Sequence, residues 1–217
     1  MICGLDEEGR GPLAGPVCAA AVILPDGFPL DLLADSKKLK PKQREDVRCI
    51  IVEKAAVWGV GWATHVEIDK INILQASLLA MRRAFDFLLE AVSAENASGF
   101  WPEKIETETA FGRPFGRPFD PASLTAVADG LYVPELPVPC TAVVKADNSI
   151  PAVMAASILA KTARDSLMEH YGILYPQYGY EKHKGYPTVA HRKSVLHYGP
   201  SPIQRLTFNA GNKEFIN

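Results

Sequence analysis

Cysteine is scarce in this chain and poorly placed for cross-linking or metal capture. Cys3, Cys18, Cys49 and Cys140 are the whole set. None stands in a Cys-x-x-Cys pair, and three lie inside apolar runs where a reduced thiol acts as a small hydrophobe. Neither a disulfide framework nor a zinc site is expected. The histidines show no HExxH spacing, which removes the zinc-hydrolase patterns. Long apolar stretches are missing too: the run from Pro12 to Pro25 is broken by Gly15 and Pro16, short of the roughly 20 residues a spanning helix needs. No basic segment precedes a long apolar one at the N-terminus, as a secretory leader would require. The expectation is a reduced, cytoplasmic protein with no membrane span.

A strong charge of one sign is also absent. The net charge is -2, so the chain as a whole does not advertise a polyanionic partner. The charge is uneven, however. From Lys145 onward nine lysines and arginines face five acids, whereas the first 144 residues carry fourteen against twenty. An acidic front and a basic rear suit an enzyme that holds cations in one place and phosphates in another, although solvated faces vary this much by chance. A hydrophobic fraction of 47% and a length of 217 residues suffice for one core and are short for two. One domain over 1–217 is expected, with monomer as the default state.

Strands and helices interleave. Met1 to Leu5 reads as a buried strand ending at Asp6 and feeding the Gly9-Arg10-Gly11-Pro12 turn. A second strand is expected over Val17–Leu24. A helix follows over Lys42–Ala56, with Val47, Ile50, Ile51 and Ala55 on one stripe, then a strand over Val57–Ala63. Asn72 to Leu89, rich in Leu, Ala, Met, Gln and Arg, predicts a central packing helix. Between 96 and 121 a tandem FGRPFGRP and other Gly and Pro residues point to a surface insertion. Strands at Leu124–Asp129 and Thr141–Asp147 precede helices over Ala152–Tyr171 and Val189–His197, the last with Thr188 as N-cap and Gly199-Pro200 as its stop. The class is α/β with a helical C-terminal part from about residue 150.

Four carboxylates, Asp6, Glu7, Asp129 and Asp147, stand just after apolar strand-like segments. Ligand sites of α/β proteins gather at strand ends, so the four converge if their strands are neighbours. Clustered carboxylates raise one another's pKa and call for a hard cation. All-oxygen ligation selects Mg²⁺ or Mn²⁺, and two such ions about 4 Å apart can activate water and stabilise a leaving oxygen at a phosphodiester. Each acid alone is better explained by a solvated turn.

The text around these acids is more specific. DEEGRGPLAGPVCAAAVILP from Asp6, DSKKL from Asp35, NILQASLLAMRRA from Asn72, ADG ending at Gly130, VVKADNSIPAVMAASILAKTARD from Val143 and HKGYPTVAH from His183 occur in an order and spacing that resemble ribonuclease HII along nearly the whole chain. The resemblance implies the ribonuclease H-like fold, a mixed five-stranded sheet flanked by helices. It further implies that Asp6, Glu7, Asp129 and Asp147 bind two catalytic ions, Mg²⁺ or Mn²⁺. The implied substrates are RNA–DNA hybrids and duplex DNA containing ribonucleotides, cut 5′ to the ribonucleotide to leave 3′-hydroxyl and 5′-phosphate ends. Gly9, Arg10 and Gly11 match a ribose-sensing turn whose main chain approaches the 2′-hydroxyl, the group that separates RNA from DNA. Tyr186 matches a tyrosine that packs on the sugar at the RNA-to-DNA junction. Ser36, Lys37 and Lys38 match a phosphate-contacting turn, and Lys145, Ser157 and Lys161 are further candidates for backbone contacts.

Several features depart from the pattern. Glu8 stands where the family commonly has a small apolar residue and is expected to point away from the site. Lys145-Ala146-Asp147 replaces the frequent Lys-Gly-Asp, which matters only if residue 146 needs a positive φ. Asp165 is read as a structural salt bridge or cap, and His183 and His191 as surface or substrate-side groups at most. No sliding-clamp motif is seen. Ribonuclease HIII, a close relative, carries an additional N-terminal domain for which Asp6 leaves no room. A silent hybrid-binding module would need one of the four acids missing or blocked.

Overall fold

The computed structural model describes residues 1–33, 39–93 and 123–208. The insertion expected at 96–121 and the Ser36-Lys37-Lys38 turn lie outside the described residues. The elements are β1 (Ile2–Glu8), β2 (Val17–Ile23), α1 (Pro41–Lys54), β3 (Val57–Ala63), α2 (His65–Ser93), β4 (Thr125–Asp129), β5 (Cys140–Val143), α3 (Pro151–Leu174), α4 (Tyr180–His183) and α5 (Val189–Tyr198). The five strands form one sheet in the order β3-β2-β1-β4-β5. β2 runs antiparallel to both β1 and β3, while β1, β4 and β5 are parallel. The mixed sheet and the flanking helices are those expected from the sequence.

Alternation along the strands sorts the core into two layers. Cys3, Leu5, Ala19, Ala21 and Ile23 face α2, where they meet Ala80, Met81, Ala84, Phe85 and Leu88. Cys18, Ala20, Val22, Trp58 and Val60 face the other side and pack with Ala155, Ala156, Ile158 and Leu159 of α3 and with Val47 and Ile51 of α1. Alanines on both β2 and the helices leave little volume between backbones. The approach is closest at Gly4 of β1: a Cβ there would lie 2.1 Å from the carbonyl carbon of Ala152, inside any permitted contact. Residue 4 must therefore be glycine for α3 to begin where it does.

Helix starts follow local chemistry. α1 opens on Pro41, whose missing N–H is no loss in the first turn. α2 begins seven residues before the expected Asn72 because Thr64 and Glu67 form a reciprocal cap: the Thr64 N–H donates to Glu67 Oε2 (2.8 Å), and the Glu67 N–H to Thr64 Oγ1 (3.2 Å). Asn72 does mark a boundary. Its φ of 67° interrupts α2, and its Oδ1 accepts from the Leu74 and Gln75 amides, so a second stretch of helix starts there. α5 is capped by Thr188, which accepts from the His191 amide, and ends at Gly199, as anticipated.

β1 is longer than expected. It continues through Asp6 and Glu7 to Glu8, held by pairing with Ala20, Ala19 and Cys18 of β2. β5 is shorter and stops at Val143, after which Lys145 takes a left-handed φ of 59° and residues 146–148 form a 3-10 turn. Ala146 has no positive φ, so alanine fits there without strain.

Two outcomes follow for stability. Gly4→Ala should lower the unfolding free energy measured in urea by about 1–3 kcal/mol or more, because backbone rather than a flexible side chain stands in the way. Glu67 is held down to about 2, first by the hydrogen bond from Arg83. Its stabilising contribution is present above the ordinary carboxylate value of 4.5 and lost as pH falls toward 2. Acid titrations of unfolding should show a shallower loss across that window in Glu67→Gln than in the parent.

Candidate active site

The parallel half of the sheet brings the acids to one end. Leu5 pairs with Ala128, so Asp6 and Asp129 follow side by side, and Asp129 in turn pairs with Val143 of β5. Asp147 comes back over this end on the 3-10 turn, fastened where the Ala146 N–H donates to Asp129 Oδ1 at 2.7 Å. Asp6, Glu7, Glu8, Asp129 and Asp147 line one cleft of about 330 Å³ together with Arg44, Ser157, Lys161 and Tyr186. Asp6 and Asp147 are buried, at 6% and 4% exposure.

The carboxylates act on one another electrically. Burial pushes Asp6 well above the usual carboxylate range, the charges of Glu7 and Asp129 push it further, and hydrogen bonds from Ser157 and the Glu7 amide only partly offset this. Burial and Asp129 raise Glu7 as well, against the Arg10 guanidinium that donates to its Oε1 at 3.1 Å. A site built this way costs stability in exchange for affinity toward cations. All the acidic donors are oxygens, which suits Mg²⁺ or Mn²⁺. Among the described residues no three acidic, histidine or cysteine side chains close around a single point. The arrangement fits ions held by one or two carboxylates and completed by water and phosphate oxygens, the usual manner of Mg²⁺.

Glu8 corrects an expectation. It does not point away: as residue 8 of a strand that runs through Glu8, it shares the face of Asp6 two positions earlier, and that face looks at α3. Ser157 meets Asp6 and Lys161 meets Glu8, four residues apart on one stripe of that helix. Glu8 Oε1 accepts from Lys161 Nζ at 2.9 Å and from the Tyr186 hydroxyl at 3.0 Å. Lys161 also donates to Asp165 (3.0 Å), which lies 3.8 Å from Arg44, so Asp165 has the structural role expected of it. Burial works against the Lys161 charge, but Glu8 and Asp165 outweigh it and raise its pKa. Lys145 is exposed and is not part of the cleft lining.

The Gly9-Arg10-Gly11 turn is pinned from below by two buried arginines. Arg205, fully buried, donates to the carbonyls of Gly9 (2.6 Å), Arg10 (3.1 Å), Pro12 (2.8 Å), Gly15 (2.8 Å) and Pro16 (3.1 Å). Arg164, also fully buried, donates to Pro16, Ala14 and Lys184. Gly9 rests on Arg164 with a φ of +98°, and a Cβ there would come 2.1 Å from Arg164 Nε. Burial and the neighbouring Arg164 charge bring Arg205 down to about 9.

His191 is a second correction. It is fully buried, stacks on His183 at 4.5 Å, and its Nδ1 lies 3.0 Å from the Tyr186 carbonyl. A carbonyl only accepts, so Nδ1 carries the hydrogen. Burial lowers His191 to about 4, leaving a neutral ring that supports the Tyr186 backbone. Glu8 and Arg44 are the cleft residues that sequence reasoning missed. The signal for Glu8 was its even spacing from Asp6, usable only once the strand end was known; nothing local marked Arg44.

Comparisons with known proteins bear on the family and the fold. The family model described as Ribonuclease HII matches residues 3–98 and 127–210. A "Ribonuclease HII" of Treponema denticola is 48% identical over 219 residues, covering 98% of this chain and 100% of the relative. The crystal structure of the ribonuclease H2 from Pyrococcus horikoshii OT3 superposes with a TM-score of 0.66 at 23% identity, over 96% of this chain and 94% of that one. A Bst ribonuclease HIII in complex with Mn²⁺ gives a TM-score of 0.63 at 16% identity, over 96% of this chain and 67% of that one. The fold is ribonuclease H-like.

Two measurements probe this electrostatic account. Because the folded-state pKa of Asp6 is raised, stability is lost as pH climbs through the carboxylate range. In EDTA, Asp6→Asn should melt higher than the parent at pH 7 and equal to it near pH 3; a variant that melts lower at pH 7 contradicts the account. Arg205→Met strands several carbonyls and should cost about 3 kcal/mol or more in chemical denaturation.

Proposed function

From a chain that belongs to the ribonuclease HII family, and is thus an endoribonuclease, we propose an enzyme that nicks duplex DNA 5′ to an embedded ribonucleotide and cuts the RNA strand of hybrids by two-metal hydrolysis. The products would carry 3′-hydroxyl and 5′-phosphate ends. The observation that carries this reading is the meeting of Asp6, Glu7, Asp129 and Asp147 in one cleft bounded by Lys161 and Tyr186. The four come from three separate segments of chain.

Each residue has a task on this reading. Asp6 is central, beside both Glu7 and Asp129, and with Glu7, Asp129 and Asp147 would hold the ions. When bound, Mg²⁺ or Mn²⁺ supplies Lewis acidity to the attacking water and the leaving oxygen. The Gly9–Gly11 turn offers main chain to the 2′-hydroxyl with no Cβ at either glycine, and its two buried arginines keep it from yielding. Tyr186 presents a partly exposed ring at the lip, placed to pack on a sugar. Lys161 and Arg44 bring positive charge to the same cleft, where phosphates would lie.

A duplex with one ribonucleotide, incubated with the protein and Mg²⁺ or Mn²⁺, should be nicked immediately 5′ of that nucleotide, while the all-DNA control stays whole. Asp129→Asn should lower kcat by about a hundred- to a thousandfold, of the order expected when charge stabilisation in a transition state is removed, with duplex binding by anisotropy nearly unchanged. Full activity in Asp129→Asn would overturn the site assignment.

A further inference from the structure

We propose that Glu8 is a positioning residue that clamps the Tyr186 ring and the Lys161 ammonium into place for the substrate, an inference that rests on the function proposed above. Three separate parts of the chain meet at its carboxylate. β1 supplies Glu8 itself, α3 supplies Lys161 at 2.9 Å, and the segment after α4 supplies the Tyr186 hydroxyl at 3.0 Å. The same oxygen, Oε1, takes both donors. Lys161 is held from its other side by Asp165 at 3.0 Å, so the ammonium cannot swing toward the helix surface without breaking two charge-assisted bonds.

The clamp acts on a ring that needs one. Tyr186 is 36% exposed. Its backbone is anchored through the carbonyl that faces His191, while its ring edge stands over Gly11, which has no side chain to hold it: a Cβ built there would lie 3.6 Å from Tyr186 Cε1. The Lys161 ammonium stands 6.0 Å from the ring centroid, at the outer limit of a cation–π contact. The bond to Glu8 is the one that fixes where the hydroxyl sits. Its proton is committed to a carboxylate, so the phenol oxygen faces the cleft as an acceptor. An acceptor suits a sugar hydroxyl and is indifferent to a phosphate oxygen, which cannot donate. Fixing the ring before binding also spares the ordering cost that a mobile side chain would add at the moment of association.

The test is steady-state cleavage of a duplex with one embedded ribonucleotide by the parent protein, Glu8→Ala, Glu8→Gln, Tyr186→Phe and the double variant Glu8→Ala/Tyr186→Phe. Loss of one hydrogen bond of this kind should raise KM about three- to tenfold in Glu8→Ala, with kcat falling less than KM rises. Glu8→Gln keeps a carbonyl acceptor and should recover most of the loss. Tyr186→Phe removes the same bond from the other end, so the double variant should lose clearly less than the product of the two single losses. If Glu8→Ala melts below the assay temperature, Glu8→Met, which keeps the length without an acceptor, takes its place. An unchanged KM in Glu8→Ala, multiplicative losses in the double variant, or a Glu8→Gln as impaired as Glu8→Ala each overturns the proposal. A parent protein that leaves the duplex intact overturns the proposed function instead, which separates the two failures.

Discussion

The contact on which the site depends is the approach of α3 to β1 at Gly4. Because residue 4 has no side chain, Ala152 and Val153 can lie against the strand, and α3 then runs along the face that carries Asp6 and Glu8. Helical spacing does the rest: Ser157 comes to Asp6 and Lys161 to Glu8. A bulkier residue 4 would push the helix away and separate acids from their partners. The parallel register of β1 with β4 and β5 supplies the complementary placement of Asp129 and Asp147. One close contact between backbones and one strand register thus assemble the cleft.

The surrounding structure offsets two kinds of electrostatic cost. On one side buried carboxylates repel one another and are relieved only in part by Ser157, Arg10 and backbone amides. On the other, Arg164 and Arg205 sit in the interior and donate to backbone carbonyl oxygens. A buried guanidinium is tolerable when its planar fork of donors is satisfied, and a loop rich in glycine and proline provides free carbonyls in number because it makes few backbone ladders of its own. The arginines are therefore an internal frame for the Gly9–Pro16 segment. They give a loop the rigidity that strands and helices obtain from their own hydrogen bonds.

The C-terminal part serves the same end. Met168, Tyr178, Tyr180, Val195 and Ile203 form a small core of their own with Ala14, and the Tyr180 hydroxyl bonds Ser201 at 2.6 Å. The stacked pair His183 and His191 sits against this core and under the Tyr186 carbonyl. Neutral imidazoles suit the position, since burial disfavours their charged form. Helices far along the sequence are in this way turned into a support for the turn that follows β1.

Much of this was legible before any coordinates. The strand at Val57–Ala63 and the capped α5 were marked by a short apolar run, Thr188 and Gly199, signals that act within a few residues. The six motif segments pointed to the family and so to the mixed sheet, and they named the four acids that share the cleft. What the sequence could not decide were distances between segments. Whether β1 stopped at Leu5 or ran on through Glu8 depended on pairing with β2, a partner chosen by tertiary packing, and that choice turned Glu8 from a residue facing away into one facing α3. His191 looked like a surface group because its short helix has no strong apolar stripe, yet Tyr180 and His183 bury it. Arg44 and Arg205 gave no local hint at all, since a long cationic side chain reads as solvated until carbonyls or carboxylates from distant segments surround it. Local chemistry writes elements and motifs into the chain; partners more than a few residues away exist only once the backbone has closed on itself.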